Sequence, residues 1–416
     1  MAMEEFHIAN PALADQGEEK IAWAWRFMPV LKSLQGRLKG GLPLKGVRLA
    51  ACLHLEAKTA CLLCALKRLG AEVFAAGSNP LSTQDDVCAA LVARGVHVFS
   101  WHGMTTEEYL ANIYSALAWD PHVIIDDGGD MIAMVHEKRP DILPQIKGGC
   151  EETTTGVRRL KAMAREKVLR MPVIAVNDAY SKYLFDNRHG TGQSVWDAIT
   201  RSTNRLIAGK AVVVAGYGWC GKGVAARARG LGARVVVVEV DPHRALEAYM
   251  DGFSVLDMDE AASIGDIFIT VTGNIGVIRK RHFVKMKNDV LLANAGHFDV
   301  EISIPELEEL ASRRFVSRPG VWTYELPDGR SIHLMAEGRL VNLASGDGHP
   351  IEIMDLSFAL QLLSTIYVFQ HDLEPGVHKV PEEIDLEVSR LKLETLGIKL
   401  EAMTPEQESY MREWRE

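Results

Sequence analysis

Several features that would mark a specialised class of protein are missing from this sequence. Its 46 lysines and arginines are outnumbered by 55 aspartates and glutamates, and no basic stripe is present that would meet the phosphate backbone of a nucleic acid. We find no apolar stretch long enough to cross a bilayer and no signal peptide. Nucleic acids and membranes are therefore not expected partners, and we expect a soluble globular protein of two or three domains.

Cysteine is also scarce. The six cysteines show no disulfide framework for a chain of 416 residues, which favours a reducing compartment and predicts a cytoplasmic protein. Cys61 and Cys64 have the C-x-x-C spacing of metal and redox sites, but they lie on an apolar helical stretch without a second pair. We interpret them as buried core residues, and the sequence predicts no metal site.

Strand-like and helix-like segments alternate along much of the chain. In the first half, strand-like runs occur at 47–53, 72–76, 97–101 and 122–125, and helix-like runs at 59–69, 84–93 and 107–118. A second set of strand-like runs occurs at 211–215, 234–239, 266–270 and 290–293. Such alternation is typical of parallel sheets with helices on both faces. The sequence therefore predicts an α/β protein with two doubly wound parallel-sheet domains, joined near residues 186–193.

The second set opens on a glycine-rich turn. Gly216, Gly218 and Gly221 have the G-x-G-x-x-G spacing between an apolar run and a helix-like segment. In a dinucleotide site, these glycines allow the tight turn, the approach of the pyrophosphate and the packing of helix on strand. Glu239 stands where an acid accepts from the ribose hydroxyls, which favours NAD over NADP, and Arg244 nearby would soften that preference. A glycine-rich turn without a ligand is the alternative, against which the strand, helix, strand and acid argue together.

Acidic residues follow one predicted strand of the first set. Asp126, Asp127 and Asp130 surround two glycines at that strand end, where open α/β sheets bind their ligands. Like charges so close push at least one pKa upward, as a general base near neutrality requires. A solvated loop or a helix cap is the alternative interpretation.

Three further groups are candidates with ordinary alternatives. Residues 151–156 read Glu-Glu-Thr-Thr-Thr-Gly, whose hydroxyls suit a sugar or a carboxylate but also an N-cap cluster. Lys182 and Asp186 would be neighbours on a helix, as in many surface ion pairs. Three histidines each follow an apolar run, where a single histidine is usually a satisfied core residue. They are His54, His297 and His349.

Taken together, the motifs resemble those of the S-adenosylhomocysteine hydrolase family, in the family's own order. They are Ser82-Thr-Gln-Asp85, Asp126-Asp-Gly-Gly-Asp130, Glu151-Glu-Thr-Thr-Thr-Gly156, Phe185-Asp-Asn187, Ala215-Gly-Tyr-Gly218 with Gly221-Lys-Gly223, Gly296-His-Phe-Asp-Val-Glu301, Ala336-Glu-Gly-Arg-Leu-Val-Asn342 and Gly348-His-Pro350. The resemblance runs from about residue 31 to about residue 378.

The resemblance implies a domain organisation and an assembly. It predicts a catalytic domain formed by residues 1–188 and a return segment, 348–385, with an NAD-binding Rossmann domain inserted at 189–347 and a C-terminal helical tail at 386–416. The hinges would lie near Asp186 and Gly348. Members of the family are typically homotetramers with one tightly held NAD per subunit, so we expect a homo-oligomer.

The family's reaction explains why these residues occur together. The substrate's 3′-hydroxyl is first oxidised by NAD to a ketone, which acidifies the C4′ hydrogen. Homocysteine then leaves by elimination, water adds, and the stored hydride returns to C3′. NAD is therefore catalytic rather than consumed.

By the same resemblance, two sets of residues act on the ribose. Lys182 with Asp186 and Asn187 would handle the proton of the 3′-hydroxyl, and Glu152 would hold the ribose hydroxyls. A hydride cofactor in one domain would thus face proton-handling groups in the other.

The second set would act at C4′ and C5′. Asp127 and His54 would serve there as base and acid, and His297 would lie near the ribose. His349 would lie at a hinge near the substrate mouth.

The resemblance also implies binding residues. The implied NAD contacts are Thr153, Thr154, Thr155, Gly216, Gly218, Trp219, Cys220, Gly221, Glu239, Arg244, Thr272, Asn274, Asn294 and Asn342, the last on the nicotinamide side. The implied substrate contacts are Glu56, Lys58, Thr59 and His349.

Three segments depart from the family pattern. Trp219 and Cys220 replace the Asp-Val that is usual inside the glycine fingerprint. Residues 410–416 end the chain without the Lys- and Tyr-bearing tail that in many members reaches a neighbouring subunit's NAD, so we expect NAD to exchange more readily. Residues 346–354 are less apolar than usual, which would reshape the homocysteine mouth.

A fourth departure concerns the purine base and indicates the branch of the family that cleaves S-inosylhomocysteine. After its histidine the family usually has a threonine and a glutamate that read the adenine edge, where this chain has Glu56 and Lys58. Lys58 has donors only and cannot accept from adenine N6, but it suits O6 of hypoxanthine, while Glu56 suits N1–H. The alternative is that the two side chains pair with each other or with solvent while backbone groups read the purine.

Two other functions remain open at this point. An ordinary NAD-dependent dehydrogenase would show the same fingerprint, but it would need a co-substrate for net hydride transfer. A non-catalytic regulatory relative would keep the fold, but it would be expected to have lost active-site residues such as Asp127 and Lys182, which are present here.

Overall fold

Two sheets organise the protein, and the computed structural model describes residues 5–414. The first four and last two residues of the predicted domains lie outside this range. The strands are β1 Arg48–Leu53, β2 Glu72–Gly77, β3 His97–Phe99, β4 Val123–Asp126, β5 Gly148–Glu151, β6 Pro172–Ala175, β7 Ala211–Ala215, β8 Arg234–Val238, β9 Ser254–Val255, β10 Ile267–Thr270, β11 Val290–Asn294, β12 Arg313–Arg318, β13 Val321–Glu325, β14 Ser331–Met335 and β15 Gly376–Lys379.

Helices cover both faces of each sheet, as the alternating pattern predicted. They are α1 Ala14–Arg26, α2 Pro29–Leu38, α3 Ala57–Arg68, α4 Asp85–Ala93, α5 Thr106–Leu117, α6 Asp130–Lys138, α7 Thr154–Arg165, α8 Tyr180–Lys182, α9 Thr191–Thr203, α10 Trp219–Gly230, α11 Pro242–Met250, α12 Met258–Ile264, α13 Lys280–Phe283, α14 Ile304–Leu310, α15 Val341–Ala344, α16 Ile351–Gln370, α17 Glu382–Thr395 and α18 Pro405–Arg412. A π-helix, Tyr183–Gly190, joins α8 to α9.

The first sheet is wholly parallel, with the strand order β15-β6-β5-β4-β1-β2-β3. Its central strands are short apolar runs that are buried along their length, which is typical of parallel strands covered on both faces. The chain leaves this sheet after β6 and returns to it only at β15, whose residues pair with β6 in register Gly376↔Pro172. The strand order reverses at β1, so the carboxyl ends of β1 and β4 flank a crevice of the kind that binds ligands.

The second sheet is parallel except at one edge. Its order is β12-β13-β14-β11-β10-β7-β8-β9, and the fingerprint strand β7 lies at the point of reversal. Strands β12, β13 and β14 form an antiparallel meander that the sequence analysis did not predict. Gly320, with φ +72°, supports the tight turn between the first two, and β12 is mostly exposed, so no apolar run indicated it.

One helix corrects an expectation from the sequence. The 20-residue helix α16 is long and apolar enough to cross a membrane by length and composition, with a mean hydropathy of 1.4, although no such stretch was expected. In the fold, 67% of the 18-residue apolar stretch within this helix is buried by protein. Its Asp355 accepts from the amides of Val30 and Leu31 at 3.1 and 2.9 Å, at the start of α2. We therefore describe α16 as a core helix of the first sheet.

The C-x-x-C pair is part of the same core. Cys61 and Cys64 lie on α3 with 1% and 5% of their surface exposed, and both are free thiols. Burial raises the pKa of Cys61 far above its usual value. The interpretation of this pair as buried core is therefore confirmed.

Candidate active site

The carboxyl edge of the first sheet brings three predicted residues together. His54, Asp127 and Glu152 each follow the end of a strand, and those strands, β1, β4 and β5, are adjacent. After β4 the chain turns through Gly128 and Gly129, whose φ values are +113° and +78°. The turn places Asp127 in the crevice.

The other two carboxylates of this turn have different roles. Asp126 is buried and accepts from the amides of Asp127 and Ile132 at 3.0 and 2.8 Å, so it stabilises the turn and the start of α6. Burial raises the pKa of Asp126 to about 7. Asp130 pairs with Arg159 at 2.6 Å. Only Asp127 of the three therefore faces the reacting groups described below.

Asp127 lies between two histidines from different units. Its Oδ2 is 3.4 Å from Nε2 of His54, and its Oδ1 is 3.7 Å from Nδ1 of His297, which follows β11 of the second sheet. The Nδ1 atom of His54 is 2.6 Å from the hydroxyl of Ser82. Burial lowers the pKa of His54 to about 4, so its ring is neutral at pH 7. The ligand atoms of the three residues lie within 4.8 Å of one another, close enough to hold a cation, although the sequence analysis predicted no metal site.

Lys182 is the centre of a second buried cluster. Its ammonium donates to the Oδ1 atoms of Asn187 at 2.8 Å and Asn177 at 3.3 Å. It also lies 3.7 Å from carboxylate oxygens of both Glu152 and Asp186. The predicted proximity of Lys182 and Asp186 is observed, but in the interior rather than as a surface ion pair.

Mutual charge and burial set the protonation of this cluster. Burial alone would lower the pKa of Lys182, but the charges of Asp186 and Glu152 outweigh it and raise that pKa. Burial raises the pKa of Glu152 to about 8, against the opposing charge of Lys182. For Asp186, burial is outweighed by Lys182 and His349, which keep its pKa below the usual range. Lys182 is therefore an ammonium at neutral pH, next to a carboxyl group that readily holds a proton.

The π-helix explains how one short segment supplies several of these groups. In a π-helix the backbone is wider than in an α-helix, and single π turns often occur at functional sites. Asp186 and Asn187 lie on it, one after the other, and both contact Lys182. On its far side Asp186 pairs with Nδ1 of His349 at 2.7 Å, so the two segments that connect the sheets touch here.

Several buried acceptors at the site have no hydrogen-bond partner within the described part of the protein. Among the described residues these include Oε1 of Glu152, Oε1 of Gln361 and Oδ1 of Asn342. Gln361, on α16, donates to the other oxygen of Glu152 at 2.5 Å. Buried polar atoms are nearly always hydrogen-bonded, so these acceptors fit a ligand rich in hydroxyl or amide donors.

The glycine turn has the shape that a dinucleotide requires. A Cβ on Gly221 would lie 1.9 Å from the carbonyl oxygen of Gly216, so no side chain fits where helix meets strand. At Gly218 only a guanidinium nitrogen of Arg244, at 3.8 Å, would be near such a Cβ, which leaves the backbone open to a ligand. The Glu239 carboxylate beyond β8 accepts from the amide of Tyr217 at 2.7 Å and is held at the edge of this turn. These residues fit NAD.

The remaining predicted NAD contacts differ in the groups that surround them. Thr155 lines a cleft together with Asn274. The Thr154 hydroxyl is 3.3 Å from Asn177, and the Thr153 amide donates to Glu151 at 3.0 Å. The hydroxyl of Thr272 donates to Glu301 at 2.7 Å. These contacts leave each of the four threonines able to bind a ligand as well.

Asn294 and Asn342 differ in whether their side chains are free to bind a ligand. The amide nitrogen of Asn294 donates to three backbone carbonyls and its oxygen accepts from the amide of Gly296 at 2.8 Å, so its side chain braces the loop after β11. Asn342 donates to Ser194 at 3.0 Å, and its oxygen is the unpartnered one noted above. Only Asn342 therefore offers a free group to the cofactor.

The two residues predicted to read the base, Glu56 and Lys58, form an ion pair with each other. Glu56 caps α3, accepting from the amides of Lys58 and Thr59 at 2.9 and 3.2 Å. The Lys58 ammonium is 2.7 Å from Glu56 and donates at 2.7 Å to the carbonyl of Asp347, in the second connection between the sheets. The alternative of mutual pairing is thus the arrangement in this structure, and one Lys58 proton remains for a ligand.

Sequence reasoning missed four residues that complete the site. Asn177 and Ser357 hold Lys182 and Asp186, Gln361 holds Glu152, and Glu151 accepts from the amide of Gly128 at 2.9 Å. Ser357 and Gln361 lie on an apolar helix, 171 and 209 residues from their partners in the chain, and no local pattern marks them. Glu151 stood in a motif that was noted, but roles were given only to Glu152 and to the three threonines that follow it.

Known proteins match this chain over nearly its whole length. A sequence model of the S-adenosyl-L-homocysteine hydrolase family matches residues 5–141, and a model of that family's NAD-binding domain matches residues 187–348. The adenosylhomocysteinase of Thermococcus kodakarensis is 57% identical, over 99% of this chain and 98% of its own length. The S-inosyl-L-homocysteine hydrolase of Methanopyrus kandleri is equally similar, at 57% over 99% and 98%. That of Methanocaldococcus jannaschii is 54% identical, over 99% of each chain.

Proposed function

The chain belongs to the S-adenosyl-L-homocysteine hydrolase family, and from this premise we propose that it cleaves a nucleoside–homocysteine thioether reversibly, to nucleoside and homocysteine. The observation that carries the proposal is the meeting of two units. Asp127, after β4, lies between His54, after β1, and His297 of the NAD-binding unit. When bound, NAD supplies reversible hydride transfer at C3′ of the ribose.

We assign the 3′-hydroxyl to the Lys182 cluster. The unpartnered oxygen of Glu152 is available to a ribose hydroxyl, and the ammonium of Lys182 is positioned to donate to the 3′-oxygen. Carboxylate oxygens of Glu152 and Asp186, each 3.7 Å from the ammonium, hold Lys182 beside the hydroxyl whose proton it would handle. Asn187 and Asn177 keep the lysine in place throughout.

We assign C4′ and C5′ to Asp127 and His54. Asp127 is the base for the C4′ hydrogen, which is acidic only after C3′ has become a ketone. Neutral His54 has its Nε2 next to Asp127 and its Nδ1 bound to Ser82, so it is held as a proton carrier for the leaving sulfur and the entering water. His297 brings the NAD-binding unit to the same point.

Incubation with substrate alone tests this function. We expect one NAD per chain by mass spectrometry, and release of homocysteine from S-adenosylhomocysteine or S-inosylhomocysteine without accumulation of free NADH. A dehydrogenase would need a second substrate and would change the NAD to NADH ratio in solution. A regulatory relative would release no thiol.

We propose hypoxanthine as the preferred base. The free donor of Lys58 matches O6 of hypoxanthine, whereas no acceptor for adenine N6 stands at that position. The relatives do not decide the matter, because proteins of either name are 57% identical to this chain. A polar group left unpaired with the wrong base costs about 1–3 kcal/mol, or about ten- to hundredfold in kcat/KM.

We expect kcat/KM for S-inosylhomocysteine to be at least equal to that for S-adenosylhomocysteine. The double variant Glu56→Thr with Lys58→Glu should reverse the order, and threonine remains a good cap for α3. Lys45→Ala, at an exposed lysine near the start of β1, lowers the net charge by one unit as the double variant does and is the control for charge alone. A clear adenosyl preference in the unmodified protein would refute this proposal.

We further propose the domain limits given by the resemblance, and a cytoplasmic homo-oligomer, as a tetramer. The departure of the chain from the first sheet after β6 and its return at β15 supports an inserted NAD-binding domain at 189–347. The six free cysteines fit a reducing compartment. Exposed Ile398, Leu400 and Tyr410 in the C-terminal tail fit burial between subunits. Light scattering on the purified protein gives the molar mass in solution, and so the number of subunits.

A further inference from the structure

The first turn of α10 contacts the catalytic unit through an aromatic pair. Trp219, the first residue of α10, stacks on Tyr183 with ring centroids 5.0 Å apart and an interplanar angle of 29°. Tyr183 directly follows Lys182 and begins the π-helix. The family's NAD-binding domain begins at residue 187, so this stack crosses the boundary between the units.

A second contact, deeper along α10, is rigid. A Cβ on Gly223 would lie 1.7 Å from the carbonyl oxygen of Arg188, and a Cβ on Gly192 would lie 2.7 Å from the carbonyl carbon of Gly223. Backbone therefore packs directly on backbone here. Such a contact changes little without loss of the fold, whereas two stacked side chains can separate and re-form by rotamer changes.

The ring of Trp219 is also held from its own unit. The ammonium of Lys222 lies 4.4 Å from the ring centroid, and the same group pairs with Glu247 of α11 at 2.6 Å. The indole is thus fixed from two sides, by a cation of the NAD-binding unit and by a ring of the catalytic unit. An aspartate, which the family usually has here, offers no ring for this contact.

The position of the stack determines its role. Backbone N–H groups at the start of α10 are the ones that hold a pyrophosphate, so the end of the helix that carries Trp219 borders the cofactor. NAD that enters or leaves at this end of α10 passes its contact with the π-helix. Of the two parts of that contact, the glycine packing has no side chain to move, so the aromatic pair is the part that can open.

We propose that the pair Trp219–Tyr183 is a latch that gates exchange of NAD. The latch is closed in the loaded and the empty protein and opens only while the cofactor passes. It therefore slows binding and release by the same factor and leaves the dissociation constant unchanged. The proposal rests on NAD binding at this turn, and not on the choice of purine.

The rates of NADH release and NAD binding test the latch. Full-length protein is loaded with NADH, which is displaced by excess NAD while NADH fluorescence is followed, and the binding rate is measured on NAD-free protein. An aromatic pair contributes enough that Trp219→Leu should raise both rates about two- to tenfold. Tyr183→Leu should have the same effect, and the double variant should be no faster than either single one. Trp219→Phe should retain most of the wild-type rate.

The control is a similar pair far from the cofactor. The rings of exposed Trp23, on α1, and exposed Phe27, directly after α1, have centroids 5.0 Å apart, and Trp23→Leu should leave both rates unchanged. Additive effects of the two latch variants, a weaker dissociation constant with an unchanged binding rate, or unchanged rates would each overturn the proposal. If Trp219→Leu fails to fold, Tyr183→Leu decides alone. Failure to bind NADH at all would instead contradict the proposed function.

Discussion

Replacement of Lys182 by alanine removes the cation that links Glu152, Asp186 and Asn187. Without it, two buried carboxyl groups lose their shared opposite charge. Removing one partner of a buried pair costs about 3–5 kcal/mol. Asp186 keeps His349 at 2.7 Å and Ser357 at 2.6 Å, and Glu152 keeps Gln361. We therefore expect the lower end of that range, about 3 kcal/mol in the free energy of unfolding, and a protein that still folds.

The effect on the reaction should be larger than the effect on stability. If Lys182 handles the 3′-hydroxyl proton, the first oxidation is blocked, and bound NAD stays unreduced when substrate is added. Loss of a general acid or base lowers the rate about 10²–10⁴-fold. Enzyme-bound NADH, followed by absorbance in a single turnover, reports this step separately from thiol release.

The matched control is Lys161→Ala. Lys161 pairs with Asp178 at 2.8 Å, but its side chain is 54% exposed, and surface pairs contribute about 0–1 kcal/mol. It should reduce NAD and release thiol normally. Near-normal turnover in a folded Lys182→Ala protein would refute the assignment, and a loss of only about tenfold would indicate a positioning role.

Two further predictions concern Asp127 and His54. Asp127→Asn should still form enzyme-bound NADH but release little homocysteine, because C4′ is deprotonated after oxidation; failure to reduce the cofactor would place Asp127 earlier, in sugar binding. Burial lowers the pKa of His54 from about 6.5 in the unfolded chain to about 4 in the folded protein. The neutral ring therefore makes its full contribution to the free energy of unfolding above about pH 6.5, and that contribution is lost as the pH falls to about 4. His54→Asn removes that dependence, so the stability difference between wild type and variant should shift by about 3 kcal/mol between pH 7 and pH 4 in urea unfolding. A constant difference across this range would contradict the burial of a neutral ring.

The sequence predicted those parts of the fold that local patterns encode. Apolar runs ending in polar residues located β1, β4 and β11 and the residues that follow them, His54, Asp127 and His297. Parallel strands of one sheet place such ends at one edge, so the meeting of His54 and Asp127 could be anticipated. His297 follows a strand of the second sheet, and only the family resemblance linked it to them. The meander β12–β14 was not predicted because its strands are short and its outer strand is exposed.

The supporting residues could not be predicted for a different reason. Gln361 and Ser357 reach Glu152 and Asp186 only because α16 packs on the first sheet as the chain comes back from the second, just before β15. The π-helix was likewise not predicted, since the spacing of Lys182 and Asp186 reads as an ordinary helical turn. The apolar composition of α16 was underestimated because its buried polar groups interrupt the pattern.

The late return of the chain to its first sheet has a consequence for synthesis on the ribosome. Strand β6 borders β15, and about 200 residues separate them, which at about 5–20 residues per second takes about 10–40 s to translate. During that time the edge of β6 is unpaired and the core lacks α16, whose Asp355 completes the start of α2. The NAD-binding unit, whose strands β7–β14 are continuous in the chain, emerges complete in the meantime. The inserted unit is therefore expected to fold before the unit that encloses it, and the nascent first sheet is the segment that a chaperone would protect.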